Sequence, residues 1–213
     1  MLHDLTLLIG SSVSATDGEI GAIQNFLFDD RTWRIRYLVV GLHNWLQPRA
    51  VVLAIEAVEQ PDWAKRSFRA KLTKEQVRNS PGLDEKRPVA RQQQIAMRDY
   101  FGRFAYWLDK EWGGRSVTTG VNFPLPQKED HHLRSAWDLT GWDVWARHGK
   151  MGMLKGFIVD EASRHIDSLI VKCGDWLQSR TALVPSCQVK SISWPNRRVD
   201  LEHDGRGTVP IVW

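Results

Sequence analysis

Apolar and polar positions alternate along this chain in short stretches, cut by turn residues at the spacing of about 8–12 residues expected of a small barrel or sandwich. Leu5 to Val13 is apolar and rich in β-formers, so it reads as a strand, with Gly10 marking a bend or a close backbone approach. Asp17-Gly18 reads as a hairpin turn, because glycine accepts the positive φ that a tight turn imposes. From Gly21 to Phe28, residues Ile23, Asn25 and Leu27 share one face and Ala22, Gln24, Phe26 and Phe28 the other, the period-2 pattern of a strand. Asp29-Asp30-Arg31-Thr32 is a polar turn, and Trp33 to Gly41 is the strongest strand signal in this half. Ala50 to Ile55 adds a strand, and Val58 to Trp63 with Ser67 to Leu72 predicts a closing hairpin.

The same plan occurs twice. An ungapped offset of 131 residues lays Gly10 on Gly141, Gly18 on Gly149, Gly21 on Gly152, Phe26 on Phe157 and Asp29 on Asp160. It also lays Leu38 on Leu169, Trp45-Leu46-Gln47 on Trp176-Leu177-Gln178, Arg49 on Arg180 and Trp63 on Trp194. A period this long marks a duplicated domain, since solenoid units are shorter. The second closing hairpin is signalled by Trp194-Pro195-Asn196-Arg197 and the alternation Val199-Asp200-Leu201-Glu202.

Between the copies the pattern changes. Thr73-Lys74-Glu75-Gln76 has capping-box spacing and predicts a short helix that Ser80-Pro81-Gly82 ends. Val89 to Tyr106 suggests a second helix, and Gly113-Gly114 through Pro126 a loop.

The apolar-Gly start, Asp17-Gly18-Glu19-Ile20-Gly21 with Phe28-Asp29, the Leu38-Val39-Val40 strand and the closing hairpin through Trp63 resemble a PRC-barrel domain. The second copy departs from the pattern at His148-Gly149-Lys150-Met151-Gly152 but keeps both glycines, and Leu72 to Pro81 resembles the segment that follows the barrel in stand-alone bacterial members. The resemblance implies a mainly β protein of two small six-stranded barrels with a partly helical connecting segment. Residues 1–80 form the first domain in this reading, 81–135 the connection and 136–213 the second domain. It implies a docking module, as in the H subunit of photosynthetic reaction centres and in a bacterial ribosome-maturation factor. The motifs are structural, and fold alone does not fix activity.

The chain has 213 residues, 42% hydrophobic and 25% charged, the balance of an ordinary globular protein. No apolar run approaches the about 20 residues of a membrane-spanning helix, and Met1 to Gly10 lacks the features of a secretory leader. A cytoplasmic location is therefore expected. Cys173 and Cys187 share no repeat position with another cysteine and are read as space-filling free thiols. The net charge of +4 is uneven: four basic against seven acidic residues over 1–60, fifteen against nine over 61–135, and ten against nine over 136–213. The basicity thus lies between the copies rather than on them.

No nucleophile, phosphate-binding or metal motif gathers in the sequence, so no cofactor and no enzymatic activity are expected. His131-His132 lacks the usual metal spacing and is read as a solvated loop. Asp29-Asp30 and Asp160-Glu161 are read as turn carboxylates that cap backbone amides. Trp45 with Trp176, and Trp63 with Trp194, are repeat-equivalent aromatics assigned to packing, with ligand anchoring as the alternative. The turn glycines are Gly18, Gly21, Gly149 and Gly152. Arg91, Arg98, Tyr100, Phe101, Arg103 and Trp107 interleave cations with aromatics. That composition serves packing between barrels first, a protein partner second and RNA third. The expected function is a non-enzymatic adapter or scaffold for protein partners, with self-association as a further expectation. An RNA- or ribosome-associated factor is the alternative, and small-ligand binding or enzymatic activity between the barrels comes last.

Overall fold

The computed structural model describes residues 1–43, 49–62, 65–80, 132–174, 180–202 and 209–211. Over these residues the chain is mainly β. The first copy contributes β1 (Leu2–Asp4), β2 (Ser12–Ala15), β3 (Gly18–Asp29), β4 (Arg34–Leu42), β5 (Ala50–Ala54), β6 (Ser67–Arg69) and the helix α1 (Lys74–Arg78). The second contributes β7 (Leu133–Ser135), α2 (Ala136–Leu139), β8 (Asp143–Ala146), β9 (Gly149–Asp160) and β10 (Ile166–Cys173). It continues with β11 (Arg180–Pro185), β12 (Val189–Ser193), β13 (Arg198–Leu201) and β14 (Val209–Ile211). One sheet has the order β5-β4-β3-β2-β6 with β7 on β3; the other has β12-β13-β8-β9-β10-β11-β14 with β1 on β9.

The offset read from the sequence also relates the backbone. Strands β2 and β3 map onto β8 and β9 residue for residue, and the 3-10 turn Ile55–Ala57 maps onto Ser186–Gln188. The parallel pairing of β2 with β6, Ser12 opposite Ser67, returns as β8 with β13, Asp143 opposite Arg198. A register shift between Val13 and Ser14 returns between Val144 and Trp145. Left-handed backbone repeats as well: Gly10 and Gly141 have φ of 79° and 89°, and Gly18 and Gly149 have 129° and 132°. Even the non-glycine exceptions coincide, Trp33 with Arg164 (54° and 56°) and Arg66 with Arg197 (48° and 45°). Side chains as different as those of Trp33 and Arg164 share a strained conformation only where the turn geometry dictates it.

Gly21 and Gly152 have another reason to be glycine. A Cβ on Gly21 would overlap the Gly41 carbonyl, and one on Gly152 the equivalent Lys172 carbonyl. Each glycine lets a neighbouring strand backbone approach its own.

Two sequence expectations are corrected. Leu5 to Val13 is not one strand: Leu5–Leu8 is a 3-10 helix, started by the Asp4 carboxylate accepting from the Thr6 amide at 2.8 Å. Its buried residues, Leu5 and Leu8, are three apart, the period of that helix rather than of a strand. Trp33 is not part of β4 but a turn residue with positive φ. The helix after Thr73 forms with the full capping box, Thr73 Oγ1 accepting from Gln76 N and Gln76 Oε1 from Thr73 N. The first closing hairpin is reduced to bridges between Val58 and Ala70 and between Asp62 and Ser67, whereas the second forms β12 and β13. The helix expected over Val89 to Tyr106 lies outside the described residues.

Contacts divide the chain into two compact units. One comprises Met1–Ser11, Asn25–Arg36 and the described part of His132–Trp213; the other comprises Ser12–Gln24 and the described part of Tyr37–His131. In the second unit Val13, Ile23, Leu38, Val40, Leu53, Phe68 and Leu72 are fully or almost fully buried. In the first the same holds for Leu27, Phe28, Leu139, Val144, Leu154, Phe157, Ile166 and Val184.

Replacing Gly152 with Ala forces the β9 and β10 backbones apart and should destabilise the protein by at least about 1–3 kcal/mol. Gly149→Ala costs less, because that position is strained by its φ but has open space around it. Urea denaturation of the two variants tests this ranking, and equal midpoints would contradict it.

Candidate functional site

Within the first unit the two copies exchange their leading strands. β1 of the first copy pairs with β9 of the second, setting Leu2 opposite Asp160, His3 opposite Val159 and Asp4 opposite Ile158. β7 of the second copy pairs with β3 of the first, setting Leu133 opposite Asp29, Arg134 opposite Phe28 and Ser135 opposite Leu27. Under the 131-residue offset these are the same three pairs with the copies interchanged. The flanking bonds repeat too: Glu161 N donates to Met1 O and Asp30 N to His132 O, both at 2.9 Å. Ile35 N donates to Arg164 O at 3.0 Å and Ile166 N to Trp33 O at 2.7 Å. Between them Arg34 bridges His165, a pair of equivalent residues. Pairing a position with its own counterpart is the mark of an isologous interface. Phe28 fills the middle, stacked on Trp33 with ring centres 5.4 Å apart and tilted against Phe157 at 5.5 Å.

The two ends of this junction carry different chemistry. At one end Asp30, its side chain only 10% exposed, binds Arg134 Nε through one carboxylate oxygen and His132 Nδ1 through the other, at 2.5 and 2.7 Å. The Arg134 guanidinium lies 5.8 Å from the Trp194 ring centre, and Trp194 meets Trp142 edge-on at 4.8 Å. At the other end the equivalent residues are Glu161 and His3, 3.4 Å apart and more exposed. Both oxygens of Asp30 are engaged, so it fastens two segments and is poorly placed to act as a general base.

The helices that come after the exchanged strands are seated differently. Asn25 donates to Ser135 Oγ at 2.8 Å, and its carbonyl oxygen accepts from Trp137 N at 3.1 Å. Its counterpart is Gly156, where a Cβ would come within 2.8 Å of Thr6 Cγ2. One seat is hydrogen-bonded and the other is cleared of side chain.

Asp29 and Asp160 do cap turn amides. Asp29 Oδ1 accepts from Arg31 N and Thr32 N, and Asp160 Oδ1 from Ser163 N and Ser163 Oγ. The bonds from the Ser163 amide, then its hydroxyl, lower the Asp160 pKa from 3.8 to about 2. Burial raises that of the Cys173 thiol.

The sequence-predicted residues fare unevenly. Gly18 and Gly149 occupy turns, and Gly21 and Gly152 sit under a neighbouring strand. Trp194 is half-buried against Trp142 and Arg134. Trp45, Trp63, Trp176, Arg91, Arg98, Tyr100, Phe101, Arg103 and Trp107 lie outside the described residues. The solvated-loop reading of His132 is corrected: its ring is held by Asp30, 102 residues earlier in the chain. The capping role expected of Asp30 and Glu161 is likewise replaced by side-chain contacts across the junction, Asp30 to Arg134 and Glu161 to His3. Arg134 was not singled out by the sequence at all. The available signal is Leu2 on Leu133, which extends the repeat to the exchanged strands.

Among the described residues no group of three His, Cys, Asp or Glu side chains could hold a metal ion, and no helix is long and apolar enough to cross a membrane. No protein-family model matches the chain, and no curated protein matches its sequence.

Asp30→Ala strands Arg134 without its buried partner and should cost about 3 kcal/mol. Glu161→Gln at the other end should cost less than about 1 kcal/mol; similar losses in chemical denaturation would refute the asymmetry. Asp160 keeps its charge to about pH 2 when folded, so its contribution is complete above the ordinary pKa of 3.8 and fades as the pH falls from there towards 2. Asp160→Asn should therefore be less stable than the wild type at neutral pH, with a gap that narrows through this range. A pH-independent gap would contradict the assignment.

Proposed function

We propose that the chain is a non-enzymatic scaffold of two PRC-type barrels, one built on each copy, that docks protein partners. The strand order β5-β4-β3-β2-β6 and its counterpart β11-β10-β9-β8-β13 support the barrel reading, since each combines an antiparallel meander with a parallel return strand. Closing such sheets removes edges that would otherwise pair with other chains.

One observation carries the docking reading. The two helical turns fastened by the exchanged strands each hold a large apolar side chain out in water, Leu7 on Leu5–Leu8 and Trp137 on α2, both 63% exposed. Their backbones are fixed by the Asp4 and Ser135 caps. An aromatic presented on a fixed backbone loses little freedom on binding, which suits a protein interface. The reading as a non-enzyme is supported by the use of Asp29, Asp30 and Asp160, whose carboxylates hold turns and ion pairs.

Affinity capture with the wild type and with Trp137→Ala tests this. The substitution removes a solvent-facing ring, so the melting temperature should stay within about 2 °C. The reading predicts a protein retained by the wild type and lost by the variant. Identical capture by both, or capture abolished by nuclease, would overturn it.

A further inference from the structure

We propose that the exchanged junction is a subunit-type interface, so that the two copies hold together without the chain that links them and the protein is a strand-exchanged dimer written as one polypeptide. Among the described residues the backbone contacts that fasten one copy to the other come in pairs with the copies interchanged: β1 on β9 and β7 on β3, Met1 O with Glu161 N and His132 O with Asp30 N, Trp33 O with Ile166 N and Arg164 O with Ile35 N. Arg34 opposite His165 is the position where the set meets itself. Duplication alone does not require this. Two copies on one chain are free to adhere through unlike faces, and a reciprocal set with a self-paired position is what identical chains produce when they dimerise about a two-fold axis.

The interface also leaves each copy unfinished alone. The edge of β3 is shared, Gly18–Ala22 facing its own β2 and Leu27–Asp29 facing β7 of the other copy. Without β7, three residues of edge and the buried faces of Leu27 and Phe28 would be open to water. The occupant of this edge is accordingly the other copy of the same unit, and the edge is closed to foreign strands.

The test uses the full chain with a site-specific protease sequence inserted between residues 81 and 131 and cut after folding. The two fragments should travel as one particle of the intact mass in gel filtration and native mass spectrometry at about micromolar concentration, and part only on denaturation. Fragments that separate under native conditions overturn the proposal. In the cut protein Gly156→Ala drives a methyl into Thr6 Cγ2 of the exchanged segment and should weaken association about tenfold. Thr6→Ser, which deletes that carbon and keeps the hydroxyl on Asp4, should restore it. Fragments that stay together with no loss from the first change, or no recovery with the second, show that another surface holds them and equally overturn the proposal.

Discussion

The structure depends on one constraint: a strand that is twelve residues long has more edge than its own hairpin can cover. β2 pairs with β3 only through Gly18–Ala22, and β8 with β9 only through Gly149–Met153. The far end of each long strand therefore needs another neighbour, because unpaired backbone beside a buried apolar face is costly and invites aggregation. Each copy supplies the neighbour for the other. The three-residue strands β1 and β7 are too short to be stable alone. Each is anchored by the capped helical turn directly after it, which buries Leu5 and Leu8 in one copy and Ala136 and Leu139 in the other.

Duplication freed the two ends of this arrangement from being identical. Asp30 and Arg134 form a largely buried ion pair beside a tryptophan pair, with the more exposed His132 ring on the other carboxylate oxygen, while Glu161 and His3 keep a longer contact. Asn25 seats one helical turn by hydrogen bonds, and Gly156 seats the other by absence of a side chain. The exposed residues differ as well, Leu7 on one turn and Trp137 on the other. Trp137 thus has no aromatic equivalent on the other turn, where Thr6 holds its place despite the repeated backbone.

Features governed by local backbone chemistry were legible in the sequence. Gly18 and Gly149 announce their turns, Thr73 with Gln76 announces a capped helix, and the run Tyr37-Leu38-Val39-Val40 announces a central strand. Leu5-Thr6-Leu7-Leu8 misled because a short apolar run fits a strand as well as a 3-10 turn, and the deciding residue, Asp4, stands before it. The exchange itself was not legible. Leu2 and Leu133 occupy equivalent positions, so the pattern is the same whether each leading strand pairs within its own copy or across to the other. The roles of Asp30, His132 and Arg134 depend on that choice and were hidden with it, since their contacts join residues more than 100 positions apart.

Backbone NOEs in a uniformly labelled sample discriminate most directly between the two pairings. The account predicts cross-strand contacts from Leu2–Asp4 to residues 158–160 and from Leu133–Ser135 to residues 27–29. Contacts from Leu2–Asp4 to residues 27–29, with Leu133–Ser135 against residues 158–160, would mean that each copy closes on itself and would contradict it.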